Sequence, residues 1–441
     1  MRAIKPTVRR LLRLQRLVGL RGNGRYCSAT ESEPNPNENR PNYDLDYILD
    51  KSNCESIKLN CRARKQVGDI EKVHFLWSRI SKELETESDQ IRSGVQKENM
   101  EQLLEDFYTE CGKIPNRTSS FTPKGSEPTE ISRWGDTSQK QTQFAEGFAR
   151  KIGQALFHSS DATGDRSYQL FSGLAALERR LIDHVLDTLL QKGFELISVS
   201  DVLHVDVPAS CGLAQRSDSG ILYKTFDGDQ QLCVSGTAEM GVANYVQRKT
   251  FAAEELPKKF CAVSRCFRPE VGASATDTGL YRVHEFNKVE MFGVTANDTG
   301  EESQQLFAHF VDVQREIFES LALPCRQLEM PSEELAAAAY RKQDIEAWMA
   351  GRQRFGEISS ASDCRDFQSR RLHTNYRSAR DGLVKPACTV NATAVASPRI
   401  LIALIESSLD KKGRLHVQEF LRGGSAPRMK LSSVTCRKAT F

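Results

Sequence analysis

Apolar residues between positions 45 and 112 recur every three or four residues, which is the period of an amphipathic helix. One series starts at Ile70 and another at Met100. This spacing predicts long helices paired as an antiparallel hairpin or coiled coil, with Gly68 and Gly94 as alternative turn positions. A globular helical layer would show the same period, but the high polar content of the segment favours an exposed arm.

Beyond about residue 140 the pattern changes to short β-like runs among longer amphipathic stretches. The predicted helices are Leu174–Gln191, Gln304–Leu321 and Ser397–Asp410, and the predicted strands are Phe194–Val199, Ile221–Phe226, Gln231–Val234, Phe260–Arg268 and Tyr281–Val294. Because no regular crossover helices separate these strands, the pattern predicts an α+β fold with a largely antiparallel sheet flanked by helices. Neither GxGxxG nor GxxxxGK[ST] occurs, so the nucleotide fingerprints of parallel-sheet folds are absent from the sequence.

Composition shifts divide the 441 residues into six segments. They are a basic leader at 1–30, a Pro/Asn-rich linker at 31–43, a helical arm at 44–115, a turn-rich linker at 116–140, a mixed α/β domain at 141–422 and a basic tail at 423–441. The longest run without a charged residue, Pro386–Pro398, has only 13 residues. A spanning helix needs about 20, so we expect no insertion into a membrane.

Charge is concentrated at the two ends of the chain. Residues 1–30 carry eight cations and no acid, so the net charge of +3 becomes −5 without them. An Arg-rich, acid-free amphipathic start is typical of a mitochondrial transit peptide, which predicts location in the mitochondrial matrix; a basic disordered tail is the alternative. The 12 cysteines show no metal-binding spacing and are expected to be free thiols.

Four stretches concentrate arginine, carboxylate and hydroxyl side chains. They are Gly236–Glu239, Arg265–Glu270 continued by Gly279–Glu290, Gly356–Asp363 continued by Asp366–Arg371, and Thr389–Arg399. Arg268 and Glu270 alternate, as do Arg282, His284, Phe286, Lys288 and Glu290, so each set is expected to share one face of a strand. Charges on a sheet face are buried only when they are paired or bound to a ligand.

These side chains suit a bound nucleotide. Guanidinium groups such as those of Arg268 and Arg282 bind phosphate, and a ring such as Phe286 stacks on a base. Glu357 and the two serines that follow Ile358 suit Mg²⁺ and phosphate. The alternative for any single stretch is a solvated strand face with surface ion pairs.

In their order and amino-acid sequence the four stretches resemble those of the seryl-tRNA synthetases, which are class II aminoacyl-tRNA synthetases. FGEISSAS, DFQSRRLH and TVNATA are closest to the animal mitochondrial branch, and the resemblance covers about residues 45–422. It implies a serine–tRNA ligase with a tRNA-binding arm at 44–115 and a class II catalytic domain at 141–422. It further implies ATP as substrate, Mg²⁺ as cofactor, L-serine and tRNA(Ser) as partners, and a homodimer or a heterodimer with a paralogue.

The resemblance also implies roles for individual residues. Serine would be bound by Thr237, Glu239, Glu290, Asn391 and Thr393. ATP would be bound by Arg268, Glu270, Arg282, Phe286, Glu357, Ser360 and Arg399, with Mg²⁺ held by Glu357 and Ser360. Arg268 and Arg399 would be the catalytic residues, because they would neutralise charge on the reacting phosphates.

A few peripheral positions depart from the family's pattern. Ser200 or a neighbour replaces a proline of motif 1, the loop at 272–278 lacks an arginine, Asp363 replaces an asparagine and Cys388 replaces a histidine. These departures leave one alternative open. The chain would then be a catalytically inactive seryl-tRNA-synthetase-like mitochondrial paralogue that acts as a binding or regulatory subunit.

Overall fold

The computed structural model describes residues 40–65, 68–86, 94–138, 143–157, 164, 166–213, 222–270, 279–410 and 412–422. The predicted transit peptide, most of the linker at 31–43 and the basic tail at 423–441 lie outside the described residues.

An eight-stranded sheet forms the centre of the molecule. From one edge to the other its strands are β1 (Thr129–Trp134), β11 (Cys325–Glu329), β12 (Arg341–Met349), β13 (Arg354–Arg365), β16 (Cys388–Ala396), β10 (Glu285–Thr295), β9 (Lys258–Phe267) and β4 (Glu195–Leu196). Every neighbouring pair is antiparallel except β4 with β9. The predicted fold class is therefore confirmed.

Three small sheets surround this centre. They consist of β2 (Ala155–Phe157) with β3 (Tyr168–Leu170), β5 (Val202–His204) with β7 (Gln230–Val234) and β6 (Lys224–Asp227), and β15 (Val384–Pro386) with β14 (Asn375–Arg377) and β8 (Thr250–Ala252). The strand predicted at Phe194–Val199 is shorter than expected, because only the two residues of β4 pair with the large sheet.

Helices cover one face of the large sheet with apolar side chains. They are α5 (Ala145–Lys151), α6 (Ser172–Gln191), α9 (Glu302–Ser320), α11 (Ser397–Ser408) and α12 (Glu419–Arg422). Their buried residues form one core with Val289 and Met291 of β10 and with Ala392 of β16. Since side chains alternate along a strand, the residues between these point to the opposite face.

The opposite face is only partly covered. Three helices lie on this side of the fold, namely α7 (Asp206–Ser210), α8 (Ala238–Val246) and α10 (Phe367–Leu372). A second apolar core joins α8 to Phe260 of β9 and Phe292 of β10. The rest of the face carries polar and charged side chains.

The N-terminal helices have a core of their own. They are α1 (Leu45–Ile48), α2 (Cys54–Ala63), α3 (Ile70–Thr86) and α4 (Gly94–Gly112). The ring centroids of Trp77 and Phe107 are 5.5 Å apart, and Lys72 Nζ lies 2.7 Å from Glu110 Oε1. Early residues of α3 thus meet late residues of α4, so the two helices form the predicted antiparallel hairpin. Their connection falls between residues 86 and 94, which favours Gly94 over Gly68 as the turn position.

The linker predicted at 116–140 needs correction. Residues 129–134 form β1, which pairs with β11 as an edge strand of the large sheet. Asn116 donates from Nδ2 to the carbonyls of Ala338 (2.8 Å) and Cys364 (2.9 Å). This segment is therefore a packed part of the domain that contains the large sheet rather than a free connector.

No helix in the described part of the chain is both long enough and apolar enough to cross a membrane.

A buried arginine joins the helical region to the large domain. Arg64, directly after α2, is fully buried, and burial lowers its pKa to about 10. Its Nη1 donates to the Asn116 carbonyl at 2.7 Å, and its Nη2 donates to the carbonyl of Ala336. One side chain thus satisfies backbone acceptors from two separate segments.

We predict that Arg64→Ala lowers the free energy of unfolding by about 2–3 kcal/mol, because it leaves a cavity and removes donors from buried carbonyls. Urea denaturation measures this loss. Arg62→Ala is the matched control, because Arg62 lies in the same helix but is exposed. Equal midpoints for the two variants would show that the buried contact contributes nothing.

Candidate active site

The polar face of the sheet is assembled by strand register. Glu290 of β10 lies opposite Thr393 of β16, and Lys288 precedes Glu290 by two positions on the same face. Phe286 belongs to the same alternating set, as the sequence predicts. The register therefore gathers residues that are about 100 positions apart in the chain onto one surface.

A β-bulge brings Glu357 and Ser360 onto this surface together. Three positions separate them, so in a regular strand they would point to opposite faces. In β13, however, Glu357 pairs with Glu346 while Ser360 pairs with Asp344, and the extra residue between them is Ile358. The bulge turns Ile358 into the apolar core and leaves both predicted Mg²⁺ ligands on the polar face.

Glu239 lies in the first turn of α8, at the edge of this surface. Thr237 is the N-cap residue of the helix, and its hydroxyl accepts from the Glu239 backbone N–H at 3.3 Å. Oε1 of Glu239 accepts from Asn391 Nδ2 at 2.9 Å and from Gln368 Nε2 at 2.6 Å. Three of the five predicted serine-binding residues therefore lie together.

The ionisation of Glu239 is poised near neutrality. Burial is the largest cause that raises its pKa from 4.5 to about 7, and the nearby carboxylate of Glu290 adds to it. Gln368 and Lys288 oppose the shift, because each stabilises the charged form.

Glu290 and Thr393 complete the predicted serine-binding group. Glu290 and Lys288 are buried, and their charged atoms are 2.5 Å apart. Thr393 Oγ1 lies 3.3 Å from Glu290 Oε2 and 3.4 Å from Lys288 Nζ. The lysine allows a second carboxylate to remain on this buried surface, because it offsets the negative charge beside Glu239.

Arg399 and Glu357 form the other end of the site. Arg399 Nη1 donates to the Glu357 carbonyl at 3.0 Å and to its Oε2 at 3.2 Å. Burial acts to raise the pKa of Glu357, but the nearby cations outweigh it and hold the pKa at about 2. Those cations are Arg399, Lys342 and Arg268, in order of effect. Glu357 is therefore a fixed negative charge between two arginines.

Arg268 connects the two ends of the site. Its Nε lies 3.5 Å from the carbonyl of Gly236, directly before Thr237, and its guanidinium lies 5.2 Å from the Phe286 ring centroid. The same guanidinium acts on Glu357, so one cation is near both the predicted serine pocket and the predicted phosphate site.

The expectation that Arg268 and Glu270 share a strand face is wrong. β9 ends at Phe267, and Glu270 follows with a left-handed φ of 52°. Arg282 and His284 likewise precede β10, so they do not share the strand face of Phe286, Lys288 and Glu290. Arg282 Nη1 lies 3.0 Å from Glu270 Oε2. The two predicted ATP-binding residues are therefore joined by an ion pair between loops.

Several residues at the site have no assigned role in the sequence analysis. Gln368 belongs to the DFQSRRLH stretch and Lys288 belongs to the alternating set, so sequence patterns pointed to both residues. No sequence pattern pointed to Asp344. It lies opposite Ser360, its Oδ2 is 2.8 Å from Lys342 Nζ, and its buried Oδ1 has no hydrogen-bond partner.

Within the described ranges, no three His, Cys, Asp or Glu side chains lie together as a metal cluster. A divalent cation at Glu357 and Ser360 would thus need further oxygen ligands from a phosphate or water, which is how Mg²⁺ is usually bound at nucleotide sites.

Comparison with known proteins agrees with this geometry. Residues 223–408 match the family model described as the tRNA synthetase class II core domain (G, H, P, S and T). The fold resembles that of seryl-tRNA synthetase from Pyrococcus horikoshii, solved as a complex with ATP, with a TM-score of 0.77 and 24% identity over 86% of this chain and 97% of that one. The fold and the site thus define a class II tRNA synthetase.

Sequence relatives narrow the class to one family. The mitochondrial serine–tRNA ligase of Mus musculus is 39% identical over 327 residues, which are 73% of this chain and 63% of the mouse protein. The serine–tRNA ligase of Rubrobacter xylanophilus is 34% identical over 422 residues, which are 86% of this chain and 96% of that protein. The chain belongs to the serine–tRNA ligase family.

We predict that Glu239 makes stability depend on pH. A carboxyl group whose pKa is raised on folding stabilises the folded state below its unfolded value of 4.5, and this contribution is lost as pH rises to about 7. Glu239→Gln should therefore remove about 2–3 kcal/mol of the decline in unfolding free energy between pH 5 and pH 8. Urea titrations across this range measure the slope.

Glu254→Gln is the matched control, because Glu254 is exposed and should keep the wild-type slope. If the slope of Glu239→Gln equals that of wild type, Glu239 does not titrate near neutrality.

Proposed function

We propose that the protein is a serine–tRNA ligase that activates L-serine with ATP and transfers the seryl group to tRNA(Ser). The observation that carries the proposal is the arrangement on one sheet face. Two carboxylates and a hydroxyl form a pocket, which contains Glu239, Glu290 and Thr393. Arg268 lies between this pocket and the ion pair of Arg399 with Glu357, where we place the phosphates of ATP.

The pocket fits serine by charge and by hydrogen bonding. A carboxylate such as Glu239 pairs with the ammonium group, and Asn391 lies beside it. Thr393 and Glu290 offer partners to the side-chain hydroxyl. Alanine would leave these buried polar groups without a partner, so the site should discriminate strongly against it.

In the first step, an oxygen of the serine carboxylate attacks the α-phosphorus of ATP. A new P–O bond forms, the bond to the β-phosphate oxygen breaks, and pyrophosphate leaves. No side chain has to act as a nucleophile. Catalysis consists of positioning and of neutralising negative charge on the phosphates, which Arg268 and Arg399 supply from fixed positions.

The remaining predicted ATP contacts fit a nucleotide beside this reaction centre. Phe286 offers a ring to the adenine, although Arg268 lies over it in the described structure. Glu270 and Arg282 are paired with each other. With ATP bound, Glu270 would instead contact the adenine amino group, and Arg282 would contact phosphate.

Mg²⁺ fits the oxygen donors at the Glu357 end. Glu357 and Ser360 would hold it, and the buried, unpartnered Oδ1 of Asp344 opposite Ser360 supplies a further acceptor for its water shell. When bound, the ion would neutralise phosphate charge. The low pKa of Glu357 keeps this ligand ionised at any physiological pH.

In the second step, a terminal ribose hydroxyl of tRNA attacks the seryl carbonyl carbon, and AMP leaves. We assign tRNA binding to the α3–α4 hairpin, and a non-specific contact with the RNA phosphates to the basic tail at 423–441. The alternative for the tail is that it makes no contact with tRNA. The acid-free leader at 1–30 and the names of the mammalian relatives support a mitochondrial protein, and we place it in the matrix.

We further propose a dimer of identical chains, or of this chain with a paralogue. The short edge strand β4 leaves Leu196 exposed, and Leu190 and Tyr245 are exposed as well. Exposed apolar side chains at a sheet edge are suited to a partner surface.

The inactive paralogue is the second candidate, and the site gives it no support. Each residue with a predicted substrate contact has a side chain that can make it. Asp363, one of the departures from the family pattern, is buried and bonded to Ser303 and Arg365, so it serves the local structure.

We predict that Arg268→Ala lowers serine-dependent ATP–pyrophosphate exchange by about 100- to 1000-fold, because one preorganised charge contact contributes about 3–4 kcal/mol to the transition state. Arg265→Ala is the matched control. Arg265 lies in β9, three positions before Arg268, and pairs with Glu285 on the other face of the sheet, so exchange should remain near wild type. Equal activities for the two variants, with normal thermal stability, would refute the assignment of Arg268.

For the arm, we predict that Arg79→Glu weakens tRNA charging and leaves pyrophosphate exchange unchanged. Arg79 is exposed on α3, so a reversed charge there repels the RNA backbone without disturbing the core. The readouts are KM for tRNA and its dependence on salt.

Arg179→Glu tests whether any reversed surface charge has this effect, because Arg179 is exposed on α6 of the catalytic domain. A KM for tRNA that rises equally in both variants would mean that the hairpin is not the tRNA platform.

A further inference from the structure

Gln368 is buried at the centre of a hydrogen-bonded chain. It lies in α10, and none of its surface is exposed. Thr389 Oγ1 donates to Gln368 Oε1 at 2.7 Å, and Gln368 Nε2 donates to Glu239 Oε1 at 2.6 Å. The chain therefore runs from a strand at the centre of the sheet, through the amide, to a carboxylate of the proposed serine pocket.

The direction of this chain is fixed by chemistry. An ionised carboxylate only accepts hydrogen bonds, so the amide must turn its NH₂ group toward Glu239. Its carbonyl oxygen then faces Thr389, whose hydroxyl donates to it. Each member has one arrangement that satisfies its neighbour, and this arrangement favours the charged form of Glu239.

The backbone of α10 holds the amide in place. The carbonyl of Arg370 accepts from the Asn42 backbone N–H at 2.9 Å, and the Ser369 hydroxyl donates to the carbonyl of Ala387. The short helix is thus tied to the segment before α1 on one side and to the strand region before β16 on the other.

The two donors of Glu239 share one oxygen. Gln368 Nε2 and Asn391 Nδ2 both bond Oε1, and no hydrogen bond from a side chain or from the backbone to Oε2 occurs in the described part of the structure. A carboxylate held by one oxygen presents the other to a ligand.

The other ionisable groups around Glu239 are few. Glu290 and Lys288 of β10 lie near it, as does Cys364 of β13. Cys211, the residue directly after α7, is also near. Both thiols are deeply buried, and burial holds their pKa values well above the usual value, so they stay neutral.

We propose that Gln368 is a positioning residue for amino-acid recognition: its amide holds Glu239 by Oε1, so that Oε2 receives the ammonium group of serine. The proposal rests on the function proposed above and adds a residue to its specificity apparatus. Gln368 itself touches no substrate.

The test compares Gln368→Met with wild type in serine-dependent pyrophosphate exchange. Methionine keeps the length of the side chain and removes both hydrogen bonds. A hydrogen bond to a charged group is worth about 10- to 100-fold in binding, so KM for serine should rise by that factor. KM for ATP should change little. The acidic limb of the kcat/KM profile for serine should move to higher pH, because Glu239 loses a donor to its charged form.

Gln327→Met is the matched control. Gln327 of β11 has the same pattern, with Ser132 Oγ donating to its Oε1 at 3.1 Å and its Nε2 donating to Gln343 Oε1 at 2.9 Å, but its chain continues from Gln343 Nε2 to Glu329 Oε2 and does not reach Glu239. It should share any loss of stability and leave the profile unmoved. The proposal is overturned if Gln368→Met has the wild-type KM for serine and the wild-type acidic limb. It is also overturned if the variant raises KM for serine and KM for ATP equally and leaves the acidic limb unmoved.

Two further measurements keep the proposal testable. If Gln368→Met does not fold, Thr389→Val decides, because it removes only the hydroxyl that orients the amide; it should raise KM for serine in the same direction, and an unchanged KM overturns the proposal. If wild type shows no serine-dependent exchange, the proposed function fails. The pH dependence of unfolding then tests Gln368 alone: a Glu239 step that stays in place in Gln368→Met overturns its role.

Discussion

The need to keep negative charge inside a sheet determines how this molecule is built. Glu290 and Glu357 lie on one face of the sheet, and Glu239 lies at the edge of this face in the first turn of α8. Burial opposes the ionisation of a carboxyl group at such positions. The three carboxylates differ in the neighbours that stabilise their charge. Glu290 has a lysine at 2.5 Å, Glu357 is surrounded by three cations, and Glu239 has only amide donors on one oxygen. The result is a graded site, with a permanently charged carboxylate at the phosphate end and a titratable one at the amino-acid end.

This gradation matches the chemistry of the proposed first step. Negative charge accumulates on the phosphates, where Arg268 and Arg399 are held by neighbouring acceptors before any ligand arrives. The amino-acid end must instead recognise a small zwitterion, for which one free carboxylate oxygen and a hydroxyl are sufficient.

Local sequence patterns predicted some of this site and could not predict the rest. Alternation placed Phe286, Lys288 and Glu290 on one face, because period two is a local property of a strand. It failed for Arg268 and Glu270, because β9 ends at Phe267. Pro269, which cannot donate to a strand ladder, is a local signal of that end. The bulge at Ile358 and the edge strand β1 arise from pairing with distant strands, so no local signal specifies them. The bond between Gln368 and Glu239 joins residues 129 positions apart. Both residues belong to stretches that the sequence singles out, but only the fold shows that their side chains form a hydrogen bond.

The central claim is that these fixed charges form a working site for serine activation. The most direct measurement is ATP–pyrophosphate exchange by the purified wild-type protein, with serine and alanine compared at saturating ATP and Mg²⁺. Exchange that requires serine, with alanine at least about 100-fold poorer in kcat/KM, is the predicted result, because the buried hydroxyl partners are satisfied only by serine. Exchange with serine that does not exceed the amino-acid-free background, in protein that is folded and binds ATP, would contradict the claim.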